Sequence, residues 1–314
     1  MSRSAPEIAA GSGGWVNWNP AAVTEDVPER TSIELVLRLF DDPLVRTLDT
    51  SNNYGHGEAE RRIGLAIREH GGVPDGFLVQ TKADRDMATG DFSGERVRRS
   101  IDESRRRLGL DRLPLVYLHD PENTSWSRAT AADGPVAALV AAKEAGIVGE
   151  IGVAGGPAAL MARYLETGLF DALVTHNRHT LVDRSADRLL DLARDLGVRV
   201  ANASPYGGGF LTAWPPPSER YAYGPAHPAV REAAAAAARL CADFDVPLAA
   251  AALRFSTDDP RIDRTIIGMR TVADLDATAA LLEVPVPDAL LEAIRALPVD
   301  AAGRQDPPGS GREF

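Results

Sequence analysis

Apolar residues along this chain fall in short continuous runs separated by longer stretches of helical period. The runs lie near Ile8–Gly11, Val45–Leu48, Phe77–Thr81, Leu115–Leu118, Ile151–Ala154, Ala172–Thr175, Val198–Asn202 and Arg264–Ile267. Continuous apolar strands with polar ends suit a parallel sheet buried on both faces. Helical patterns between them cover Glu58–His70, Gly94–Leu108, Gly134–Ala145, Pro157–Thr167, Ser185–Leu196, Pro228–Phe244 and Val272–Leu282. The alternation predicts an α/β fold, a (β/α)8 TIM barrel, whose functional side chains stand at the C-terminal ends of the strands. At 314 residues, length alone would admit two domains. A barrel of this size is commonly one unit, so residues 1–298 are expected to form a single domain and residues 299–314, rich in Gly, Pro and charge, a loose tail. The segment Tyr206–Pro228, with Trp214-Pro215-Pro216-Pro217 and Tyr221-Ala222-Tyr223, is too long for an ordinary connection and is expected to fold over the rim as a lid.

Three of the runs end in ionisable groups. Asp49 closes one strand and Tyr54 follows in the loop Thr50-Ser51-Asn52-Asn53, while Lys82 and His119 close two later strands. If those strands are parallel neighbours, the four side chains converge at one rim. A phenol beside an ammonium that is itself held by a carboxylate is expected to have its pKa drawn below about 10. Ser204-Pro205-Tyr206-Gly207 ends another strand with a hydroxyl, backbone amides and a glycine, suited to cradling a pyrophosphate.

These residues carry a resemblance to the aldo-keto reductases. That family reads Asp-Thr-Ala, Tyr-Gly and Glu at the start of a helix, then Thr-Lys ending one strand and Leu-His-x-Pro after the next. Here the matches are Asp49-Thr50-Ser51, Tyr54-Gly55, Glu60, Thr81-Lys82 and Leu118-His119-Asp120-Pro121, in the same order. Asn177-Arg178-His179-Thr180-Leu181 and Ser204 to Leu211 look like the branch containing D-threo-aldose 1-dehydrogenases, L-fucose or galactose dehydrogenases and pyridoxal 4-dehydrogenase. The resemblance implies hydride transfer between NAD(P)(H) and an aldehyde, ketone or sugar hemiacetal. It also implies that Tyr54 is general acid/base, that Lys82 with Asp49 supports the phenolate, and that His119 orients the carbonyl. The adenosine end of NADP(H) or NAD(H) would lie against Gly268, Met269, Arg270, Thr271, Asp274 and Thr278. NADPH-specific members carry a basic or amide residue where Asp274 aligns, so its carboxylate is expected to face the ribose. The family's strand-five Ser-Asn pair is replaced by Ala154-Gly155, with His176 or Asn177 expected to hold the nicotinamide carboxamide instead. Trp15 and Trp18 are placed near the substrate mouth.

Other chemistries remain open at this level. A strand-end lysine can form a Schiff base, and a barrel of this kind can bind a nucleotide as a sensor without useful turnover. No His, Cys or acidic cluster near His119 shows metal-ligand spacing. A formal net charge of −11 argues against a nucleic-acid partner. The lone Cys241 suits a reducing compartment, and neither a signal-peptide core nor an apolar run of the ~20 residues a membrane span needs is present, so a cytoplasmic protein acting on a small molecule is expected.

Overall fold

The computed structural model describes residues 7–16 and 25–306. Eight parallel strands close into a barrel: β1 Glu7–Gly11, β2 Val45–Asp49, β3 Leu78–Ala83, β4 Leu113–His119, β5 Val148–Gly155, β6 Ala172–His176, β7 Arg199–Ala203 and β8 Arg264–Gly268. Each strand pairs with its predecessor in the chain, and β8 pairs with β1 from Glu7↔Arg264 to Gly11↔Gly268. The architecture is the (β/α)8 barrel that the alternation predicts.

Four helices were not visible as periodic segments: Glu29–Phe40, the single turn Trp126–Ala129, Leu248–Thr257 and Asp288–Ala296. The clearest reason applies to Leu248–Thr257. Eight of its ten residues are buried, so it is apolar on nearly every side and lacks the polar stripe that marks an amphipathic helix.

Side chains alternate across each strand, so Leu78, Gln80 and Lys82 share one face of β3 while Leu115, Tyr117 and His119 share one face of β4. Those faces point into the lumen. There Ala9, Leu115, Tyr117, Ala154, Ala172, Val174, Ala201 and Ile266 form a packed cluster separate from the core between strands and helices. The register places Asp49 opposite Gln80 and Lys82 opposite Tyr117, which brings the three predicted strand ends to the same rim.

Two segments differ from expectation. The predicted lid is anchored: Phe210, Leu211 and Tyr221 are buried beside the helix Pro228–Asp243, and Arg220–Tyr221 pairs with Gly224–Pro225 in a two-residue antiparallel ladder. Gly207 permits this, because its φ of +58° is left-handed and a Cβ there would stand 2.1 Å from the Tyr221 ring. Tyr223, 67% exposed, still projects over the rim. The start of the tail, expected to be loose, is held. Asp306 receives Arg178 Nε at 2.6 Å and Nη2 at 2.7 Å, and Gln305 N donates to Asp183 at 2.9 Å. A bidentate guanidinium–carboxylate pair fixes both partners in orientation. Residues 307–314 lie outside the described residues.

Behind the loop that carries Tyr54, the helices Glu58–His70 and Gly94–Leu108 touch backbone to backbone. A Cβ at Gly64 would stand 1.9 Å from the Arg107 carbonyl oxygen. The contact also sets Arg107, whose Nη1 donates to Asn52 O at 3.0 Å and thereby steadies the loop. Gly64→Ala is expected to destabilise the protein by about 1–3 kcal/mol in urea unfolding, since the two backbones must separate to admit the methyl.

Candidate active site

Tyr54 begins a short 3-10 turn, Tyr54–Gly57, in which Gly55 and His56 both have positive φ and turn the chain from β2 into the helix Glu58–His70. The turn directs the phenol back over the barrel mouth. Lys82 Nζ donates to Tyr54 Oη at 3.1 Å, to Asp49 Oδ2 at 2.6 Å and to Thr50 O at 2.9 Å. Asp49 Oδ1 accepts from Gln80 Nε2 at 2.8 Å. Lys82 and Asp49 are 2% and 4% exposed, so this ion pair is taken out of water with every Lys82 proton used. His119 stands edge-on to Tyr54, with ring centroids 5.8 Å apart at 81°. The four predicted side chains therefore meet.

Their electrostatics differ from the expectation for Tyr54. Burial is the largest influence on the phenol and raises its pKa; Lys82 lowers it, Asp49 raises it, and the net shift is upward from 10. Desolvation exceeds the pull of the ammonium. The phenol is thus held in its protonated, proton-donating form across the neutral range. Burial opposes the charge of Lys82, but Asp49 and Tyr54 more than offset it, and the net shift is upward.

The two histidines move in opposite directions. Burial lowers His119, but Asp84 and Asp120 outweigh it and push it up to about 9. Burial and Arg178 push His176 down to about 4. Its Nδ1 lies 3.2 Å from Asn177 Nδ2 and 3.5 Å from Tyr223 Oη, so Nδ1 is the accepting nitrogen of a neutral ring.

The expected nucleotide contacts fall on one rim, at the ends of β6, β7 and β8, but several are engaged within the protein. Ser204, Pro205, Tyr206 and Gly207 follow β7, and Ser204 and Gly207 both have positive φ. Gly268 ends β8. Met269 is fully buried and accepts Trp15 Nε1 on its carbonyl at 2.6 Å. Trp15 is likewise fully buried, so its placement at the substrate mouth is corrected: it is a core residue. Trp18 lies outside the described residues. Asp274 does not simply project toward a ribose. Its Oδ2 accepts from Arg270 N at 2.8 Å and Thr271 N at 2.9 Å, completing a capping box with Thr271 at the start of the helix Val272–Leu282. Its charge is matched by those amides, which weakens the expected repulsion of a 2′-phosphate. Thr278 Oγ1 donates to Asp274 O at 2.8 Å, so that hydroxyl is also engaged within the helix.

Three buried polar atoms on this rim have no partner among the described residues: Asn177 Oδ1, Tyr206 Oη and Arg270 Nε. Buried polar groups are rarely left unsatisfied, so a nucleotide carrying amide, hydroxyl and phosphate groups fits this surface. The replacement at strand five has a steric basis. A Cβ on Gly155 would lie 2.8 Å from Glu122 Oε2 and 2.8 Å from Met161 Cε, leaving no room there for an amide side chain.

Sequence reasoning missed Asp84, Gln80 and Glu122. Both Asp84 and Gln80 are two residues from Lys82, and that period-2 spacing was the signal available. Glu122 lies in the turn after β4, where no periodicity marks it.

A barrel with a partly buried proton donor at its mouth and unsatisfied polar atoms beside it is the framework of a nucleotide-dependent oxidoreductase. Residues 9–298 match the Aldo/keto reductase family, and the chain belongs to that family. It is 30% identical over 278 residues to a D-threo-aldose 1-dehydrogenase from Pseudomonas sp, covering 80% of this chain and 83% of that protein. It is 30% identical to an L-galactose dehydrogenase from Arabidopsis thaliana, covering 75% and 73%. Among solved structures, an aldo-keto reductase from Bacillus halodurans in its holo form superposes with a TM-score of 0.71 at 19% identity, covering 92% and 90%, a likeness of fold. The protein is an NAD(P)-dependent oxidoreductase. No helix among the described residues is long and apolar enough to cross a membrane.

Two outcomes test this geometry. Lys82→Met should destabilise by about 3–5 kcal/mol in urea unfolding by leaving Asp49 buried and unpaired, and Lys82→Met with Asp49→Leu should recover much of that loss. Asp274→Ala should cost about 1 kcal/mol by the same measurement, because it removes the carboxylate half of the capping box.

Proposed function

We propose that this enzyme interconverts the hemiacetal carbon of an aldose-like, polyhydroxylated substrate with the lactone, and aldehydes or ketones with the corresponding alcohols, with Tyr54 as the general acid/base. The carrying observation is the 3.1 Å contact from Lys82 Nζ to Tyr54 Oη, with Asp49 2.6 Å behind the ammonium. The names of the two curated relatives favour the sugar class. A bound nicotinamide supplies or accepts the hydride. Asn177 would hold its carboxamide, Tyr206 and the Ser204–Gly207 turn its central part, and Arg270 its adenosine end.

In reduction the Tyr54 hydroxyl gives its proton to the carbonyl oxygen as negative charge develops there, and the phenolate left behind is stabilised by Lys82. Oxidation runs the same transfer backwards. Protonation of the phenol at neutral pH therefore favours reduction, and alkaline conditions favour oxidation. The Schiff-base alternative needs a neutral amine, whereas Lys82 has each of its protons on an acceptor and Asp49 holds its charge. A sensor without turnover would have no need of that buried pair, which is costly to keep.

Tyr54→Phe removes one hydroxyl and little else. It is expected to lower kcat by about 10²-fold or more while cofactor Kd, titrated by fluorescence, stays within a few fold. Comparable turnover of the variant on a panel of aldoses and aldehydes would refute the assignment.

A further inference from the structure

The centre contains a carboxylate to which neither the motif matches nor the relatives assign a role. Asp84 lies just beyond β3 and is 4% exposed. Its Oδ1 stands 2.6 Å from His119 Nδ1. Its Oδ2 accepts from Asn53 N at 3.0 Å and from the Ser51 hydroxyl, and Ser51 Oγ is itself 3.1 Å from the same Nδ1. Ser51 occupies the place where the family's motif reads Ala. An ionised carboxylate can only accept, so Nδ1 must carry a proton, and Nε2 is the ring atom left to face a substrate.

We propose that Asp84, steadied by Ser51 and the Asn53 amide, is a positioning residue that keeps His119 doubly protonated, so that Nε2–H donates to the substrate oxygen while Tyr54 transfers its proton. The proposal rests on the carbonyl chemistry above and adds the agent that sets its polarity. A neutral ring protonated on Nδ1 would present a lone pair at Nε2 and repel a carbonyl oxygen. The His119 proton is not consumed: hydride goes to the carbonyl carbon, the Tyr54 proton goes to the oxygen, and His119 only donates a hydrogen bond.

The groups around His119 come from four directions. Asp84 and Lys82 approach from β3, Tyr54 from the turn after β2, Asp120 and Glu122 from the segment after β4, and His176 from β6. Asp120 Oδ1 is 3.7 Å from Nε2. Lys82 and burial oppose the imidazolium, while Asp84 and Asp120 favour it. His176 adds no full charge at neutral pH, since its own ring is held neutral. The balance lies with the acids, and His119 is pushed up to about 9. Below that pH Nε2 donates, which suits reduction. Above it Nε2 can only accept, and the donation to a carbonyl oxygen is lost.

The test is a titration of cofactor-free, 15N-labelled protein by long-range proton–nitrogen NMR from pH 5 to 10.5, with the His119 ring assigned by its loss in His119→Gln. The parent His119 should titrate above about 8, well over the ordinary 6.5. In Asp84→Asn the midpoint should fall by at least about one pH unit, and kcat for aldehyde reduction at pH 7.5 at least about tenfold, with cofactor Kd within about threefold. Asp84→Glu should restore part of both. An unchanged midpoint in Asp84→Asn overturns the proposal, as does a parent midpoint below about 8, which decides the matter even if the variant does not fold. The titration needs no turnover, so failure to find a substrate would count against the proposed function and not against this network.

Discussion

The buried ion pair of Lys82 and Asp49 ties the barrel to its chemistry. Two opposite charges removed from water cost several kcal/mol each, and only near-ideal hydrogen bonding offsets that cost. Here the offset is complete because β2 and β3 are in the one register that sets Asp49 beside Gln80 and Lys82. A shift of one residue would turn every lumen side chain outward. The pair is also the top of a polar column through a lumen lined largely by apolar side chains. Glu7 holds Arg264 at 2.8 Å near the floor, Arg264 Nη1 reaches Gln80 at 3.5 Å, and Gln80 supports Asp49. Polar groups in a low-dielectric interior strengthen one another when all are satisfied and are costly when any is not.

At the mouth, one fold sets two imidazoles to opposite tasks. His119 sits among carboxylates and His176 beside the Arg178 guanidinium, and their pKa values separate to about 9 and about 4. Environments that drive like groups apart are how an active site obtains a donor and an acceptor from one residue type. The arrangement depends on charge placement more than on distance, since both rings are largely shielded from solvent.

Much of this was legible in the chain, for reasons that differ by element. The eight strands show because parallel strands buried on both faces leave unbroken apolar runs, and Asp49, Lys82 and His119 show because each is the polar stop of such a run. Leu248–Thr257 did not show because burial on nearly all sides erases helical period. Trp15 was misplaced for a related reason. An aromatic after a glycine turn reads equally as a mouth or a core residue, and only the tertiary acceptor Met269 O decides between them. Asp274 was read for its charge, whereas its local geometry as the third residue of a helix led by Thr271 governs where the carboxylate points. Asp84 was passed over because the motif ended at Lys82, although the pleat continues past it.

The pairing of β1 with β8 sets a schedule for biosynthesis. Glu7 and Arg264 are 257 positions apart, and β1 has only β2 as an early neighbour. At roughly 5–20 residues per second, translation takes on the order of tens of seconds to supply the closing strand. During that interval the far edge of Ile8-Ala9-Ala10 presents unpaired amides and carbonyls on a short apolar segment, the kind of edge on which chains associate wrongly. The barrel can close only after Arg264–Gly268 has left the ribosome, and until then β1 stands at the border of an open sheet.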